Sequence, residues 1–130
     1  MPEATGNTVD HMTHAERILL LDQYRRDFES ANTRLTIQAL PLSQGTATVP
    51  QLVMFIDAAL DLASVCDQEC SERSHIDVLF WLCRRLEAEI QTEGRSEVYL
   101  ATCRREVKRV KELIQQACQR MGGGKLVALV

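Results

Sequence analysis

The chain has 130 residues, 45% of them apolar, with a net charge of −3 and only three prolines and six glycines. That length fits one domain with an ordinary core, and the apolar content excludes a purely solvating polymer. Five cysteines, an odd number without disulfide-framework spacing, fit a reducing compartment, so the cytoplasm is the expected location.

No basic-then-apolar segment opens the chain, so no secretory signal is expected. No membrane span is expected either, because the longest apolar run, Leu52 to Cys66, is interrupted by Asp57, Asp61 and Ser64. Charge is unevenly divided. Residues 95–130 hold eight basic and three acidic side chains, +5, which leaves −8 for residues 1–94.

In chain order, residues 1–12 read as a flexible arm and residues 13–121 as a single helical domain. Thr13 followed by Glu16 is a capping-box pattern that predicts a first helix carrying Ile18, Leu21, Tyr24 and Phe28, widened by Leu19 and Leu20 and stopping near Asn32. Residues 34–40 alternate, with Leu35, Ile37 and Ala39 on one side, and predict a short strand ended by a loop at Pro41 and Gly45. A lone strand would need an edge from a second chain or from the C-terminal tail.

Thr48 and Gln51 form a second capping box, with Pro50 in the first turn. The helix that follows is apolar on most sides, its polar residues Asp57, Asp61, Ser64 and Gln68 falling on one narrow stripe, which predicts a central helix covered by several neighbours. The polar run 67–74 reads as a turn, with one continuous long helix as the alternative. A third helix would carry Ile76, Leu79, Phe80, Cys83, Leu86 and Ile90 and stop at Gly94. From Ser96 a fourth helix places Leu100, Cys103, Val107, Val110, Ile114, Ala117 and Met121 at alternating steps of three and four, an a/d seam over three heptads. Gly122 to Gly124 then act as a hinge for an apolar tail, 125–130. The expected fold class is thus all-α in the main, a bundle of about four helices with one short strand.

Chemistry-bearing patterns are weak. Cys66 and Cys70 stand four apart, with His75 beyond, but zinc needs four ligands from paired turns, so the cysteines read as small core residues and no metal or cofactor is expected. No cysteine has a base and glycine turn beside it, and phosphate-loop and dinucleotide motifs are missing, so no enzyme is expected. Asp57 and Asp61 read as a solvated stripe. The basic run from Arg104 to Lys111 flanks the fourth-helix seam on both sides and has no helix-turn-helix before it, so nucleic acid is disfavoured as a partner.

The strongest expectation is protein binding. The candidate surface combines the fourth-helix seam (Leu100, Cys103, Val107, Val110, Ile114, Ala117) and its flanking Arg104 and Lys111 with the tail residues Leu126, Val127 and Leu129. In a parallel homodimer, Glu106 could meet Lys111 of the other chain. Alternatives are a small DNA-associated transcription factor using residues 96–121, or a secretion or phage assembly chaperone.

The order strand (Leu35 to Leu40), Thr48-Val49-Pro50, apolar helix, polar turn and a helix with Trp81-Leu82 resembles, over residues 34–93, a group of short helical-hairpin regulators of pseudomonads that includes a quorum-sensing anti-activator. That resemblance rests on layout and carries no functional residues. It implies a dimeric helical protein that regulates by sequestering a transcription regulator.

Overall fold

The computed structural model describes residues 13–68 and 72–121. They form four helices, α1 (His14–Ser43), α2 (Val49–Gln68), α3 (Glu72–Gln91) and α4 (Glu97–Arg120), and no strand among the described residues. The expected arm at 1–12 and the hinge and tail at 122–130, with Leu126, Val127 and Leu129, lie outside the described residues.

Helix starts follow the side chains expected to set them. Thr13 Oγ1 accepts from Glu16 N at 3.1 Å and Glu16 Oε1 from Thr13 N at 3.2 Å, closing a capping box. At α2, Gln51 Oε1 accepts from Thr48 N at 2.8 Å and Thr48 Oγ1 from Gln51 N at 3.3 Å. Ser96 caps α4 by accepting from Tyr99 N at 3.1 Å. Gly45 and Gly94, which follow α1 and α3, adopt positive φ of 75° and 86°, which an L side chain would resist.

The strand expected at 34–40 is instead the last third of α1, a correction that also removes the stop at Asn32. Alternation and helical spacing compete in this segment, and burial decides between them. Leu35 and Leu42 join Ala31 in the core at 6%, 2% and 8% exposure, whereas Ile37 is 57% exposed. In a strand, Leu35 and Ile37 would share a face; in a helix they point to opposite sides. Thr36 Oγ1 donates back to the Asn32 carbonyl at 2.9 Å, as helical threonines do. Pro41 sits inside the last turn, and the helix closes one turn later with Gln44 N donating to the Leu40 carbonyl at 2.9 Å.

α2 is the central helix, in contact with α1, α3 and α4. It is long and apolar enough to cross a membrane by composition; here Leu52, Phe55, Ile56, Ala59 and Ala63 are almost fully enclosed against its neighbours, while Val53 and Met54 stand 41% and 51% exposed. Asp57 and Asp61 are exposed, as the stripe predicts, and Asp61 pairs with Arg34 of α1. α2 and α3 are separate helices, for the His75 Nδ1 lies 2.7 Å from the Ala63 carbonyl, twelve residues back. In one continuous helix those residues would be about 18 Å apart.

α3 and α4 pack together along their length. Their outer end is fastened by a buried polar cluster that sequence patterns did not single out. Glu89, 2% exposed, accepts from Tyr99 Oη at 2.6 Å and from Arg95 Nη2 at 2.7 Å, and its second oxygen lies 3.2 Å from Arg85 Nη1. The Arg95 guanidinium also stands over the Tyr99 ring at 4.9 Å and reaches the Leu42 carbonyl at 3.4 Å, so α1, α3 and α4 meet there.

Candidate functional site

The seam expected to bind partners is spent inside the chain. Cys103, Val107, Val110, Ile114 and Ala117 are at most 9% exposed, within the core that α4 builds with α3. Leu100 is half-buried and Met121, at the end of the seam, is 45% exposed. Lys111 Nζ lies 3.7 Å from Glu87 Oε2 of α3, and Glu106 pairs with Arg105 and Arg109 of its own helix at 3.5 and 3.0 Å. Glu106 and Lys111, expected to pair between two chains, each have partners within this one. Arg104, Arg105, Lys108 and Arg109 are exposed together on the outer side of α4, so these four do form one outward face, against expectation.

Four cysteines, Cys66, Cys83, Cys103 and Cys118, are buried as free thiols, in the core role expected of them. Burial raises the thiols of Cys66, Cys83 and Cys103 above the usual range, Cys103 to about 11 with help from the nearby Glu89 carboxylate. Such thiols stay protonated at neutral pH and are poor nucleophiles. Among the described residues no three His, Cys, Asp or Glu side chains gather as a metal group.

What the other described helices leave uncovered is the N-terminal end of α1. The helix has 30 residues and α2 has 20, so α1 outruns its neighbour by about 15 Å at 1.5 Å per residue. The overhang is the N-terminal end. Arg34 lies beside Asp61, and Tyr24 hydrogen-bonds the Cys66 thiol near the last turn of α2. Residues 14–21 have no more of α2 to pack on and are exposed throughout.

Yet the apolar pattern does not stop there. At 100° per residue, Leu20, Leu21, Tyr24 and Phe28 continue the side of α1 that Ala31, Leu35 and Leu42 bury farther along. Ile18, Leu19, Leu20 and Leu21 stand 53%, 67%, 44% and 55% exposed. Four consecutive apolar side chains wrap most of the way around a helix, and in water each forfeits part of the ~1.5–3 kcal/mol its full burial would return. Polar groups on this stretch pair locally, with Arg25 donating to Asp22 at 2.7 Å, which holds the Asp22 carboxyl below its ordinary range.

Beside the same helix lies a groove of about 590 Å³ between α1 and α3. Leu35, Ala39 and Leu40 line one wall, Val78 and Trp81 the other, and Leu62 of α2 lies between them. The chain's single tryptophan, 44% exposed, rests against Phe55 with ring centroids 5.8 Å apart. Helical spacing puts Ile18, Leu21 and Phe28 on the flank of α1 that carries the groove residues Asn32, Thr36 and Ala39. One side of α1 is thus apolar near both ends, uncovered at the overhang and hollow at the groove. A strand at 34–40 would separate these two surfaces, whereas the helical spacing of Ile18, Leu21 and Phe28 is already present in the sequence.

Fold and face together define an all-helical protein with an internal fourth-helix seam and an unpaired first-helix surface. No family model, curated protein or solved structure matches the chain.

Proposed function

We propose that this chain is a non-enzymatic regulatory or adaptor protein that docks other protein surfaces through the α1 face and its groove, and that it self-associates. The observation that carries this reading is the run of exposed apolar side chains, Ile18 to Leu21, on the same helix as the groove beside Leu40 and Trp81. Contiguous apolar surface of this kind marks interaction sites, and a groove between helices suits an amphipathic helix. Free buried thiols support a reducing compartment, the cytoplasm.

Sequestration of a transcription regulator, as the resemblance to helical-hairpin anti-activators implies, is one form this docking can take. The helical hairpin α2–α3 with Trp81-Leu82 supports that layout, whereas its opening strand is helical here. A second reading, nucleic-acid binding, draws on exposed Arg104, Arg105, Lys108 and Arg109; Glu106 neutralises part of that face, and steeply salt-dependent DNA affinity would be its signature. A chaperone role would use the same α1 face on one obligate client.

A photo-crosslinking residue at position 40, compared with one at position 109, tests the reading in cells. A discrete adduct from position 40, with a second copy or another protein, is the expected result. No adduct from position 40 would contradict it, and adducts from position 109 to nucleic acid would favour the second reading.

A further inference from the structure

We propose that the overhang of one chain seats in the α1–α3 groove of a second copy, and that the second copy returns the contact, so that two α1 helices cross antiparallel near Phe28. The proposal rests on the reading that this face docks protein, and it names the occupant.

Three observations select a second copy. The first is shape. Ile18, Leu19, Leu20 and Leu21 are exposed around most of the helix. A single covering strand, such as a C-terminal tail laid along one side, leaves the rest in water. A groove walled by α1 and α3 over α2 covers several sides together.

The second is position. Overhang and groove share one flank of α1, about 25 Å apart at 1.5 Å per residue. A twofold axis at the midpoint, beside Phe28, brings each against its counterpart: Ile18 and Leu21 of one chain against Leu35 to Leu40 of the other. A twofold contact needs a patch complementary to itself, and this flank holds both halves. The C-terminal half of α1 carries two ionised side chains, Glu29 and Arg34, and Arg34 is held on α2 by Asp61, away from the crossing flank. Phe28, already 36% exposed, sits on the axis.

The third is area. On the shared flank and groove wall, Ile18, Leu21, Phe28, Leu40 and Trp81 are between 36% and 55% exposed. At on the order of 100 Å² each, they offer about 500 Å² per chain, the size of a weak, reversible interface.

The test uses two differently tagged full-length chains in a Cys70→Ser background, one carrying Ile18→Cys and the other Leu40→Cys, mixed and treated with a short bismaleimide. The expected product is the mixed cross-linked dimer, with none above background when Val98→Cys, on the far helix, replaces Leu40→Cys. Sedimentation across a concentration series supplies the second arm. Leu21→Asp, on the exposed overhang, should weaken self-association about tenfold or more while leaving the helical circular dichroism unchanged.

A dimer that cross-links equally well through Val98→Cys, or that ignores Leu21→Asp, overturns the inference and leaves the docking reading standing. So does a wild-type monomer across the whole series, provided position 40 still yields its adduct with another protein. If deleting residues 122–130, and not Leu21→Asp, is what uncovers Trp81, the chain's own tail fills the groove and the inference falls.

Discussion

Glu89 is the residue on which most of the buried polar chemistry converges. Its carboxylate takes hydrogen bonds from Tyr99 and Arg95, both almost entirely enclosed, and an ion pair from Arg85. Removing it strands a buried guanidinium and a buried phenol. Glu89→Ala should therefore cost about 3–5 kcal/mol, the range for breaking a buried pair from one side, read as a lower urea midpoint. A change within the scatter of surface substitutions would contradict the role given to the cluster.

The same surroundings set a pH dependence. Burial, the hydrogen bond to Glu89 and that carboxylate's charge hold the Tyr99 phenol well above its ordinary 10.0, and burial lifts the Cys103 thiol from 9.0 to about 11. Both groups lose their protons more easily in the unfolded chain, so unfolding is favoured as alkali removes them there first. The contribution of these two groups should be level from neutral pH to 9 and fall as pH rises through 9 to 11. Tyr99→Phe should blunt the fall measured by thermal melts, at the cost of one donor to Glu89. A melting temperature that rises over that interval would contradict the assignment.

At the scale of elements, the segment 34–40 carries the sharpest contrast. Leu35→Ala should cost about 2–5 kcal/mol, as buried leucines do, and Ile37→Ala should stay within about 0.5 kcal/mol. Paired denaturation curves read both. Equal costs would restore a strand, in which the two side chains share a face.

That segment also shows where local pattern gives out. Thr13 with Glu16, Thr48 with Gln51, and Ser96 announce their helices because a cap is made by side chains three residues apart, and the chain carries that information locally. Leu35, Ile37 and Ala39 satisfy period two over a few residues, while Ala31, Leu35 and Leu42 satisfy the helical period over a longer window. The longer pattern prevails because α2 supplies a surface for it. The α4 seam was legible as a seam, but not as an internal one. Spacing records that a helix has an apolar side, and only the position of α3 decides that this side is already covered. The Glu89 cluster joins residues from two helices and a loop, so no local spacing announces it.

Across the whole molecule, the division of labour between α4 and α1 is the consequence that matters. With the seam from Cys103 to Ala117 in the core, removing residues 96–130 strips the cover from α3. The shortened chain should lose its cooperative thermal transition by circular dichroism; a truncated chain that melts as sharply as the full one would mean α4 is an appendage. On the proposed reading, binding falls to the α1 overhang and groove, apolar surface that the bundle leaves open. Trp81 reports on that surface directly, being the single tryptophan of the chain and 44% exposed in the groove wall. Acrylamide quenching of its emission is the most direct measurement. Quenching should be easy in dilute protein and in Leu21→Asp, with protection as wild-type concentration rises or a partner binds. Equal quenching under all of these conditions would contradict it.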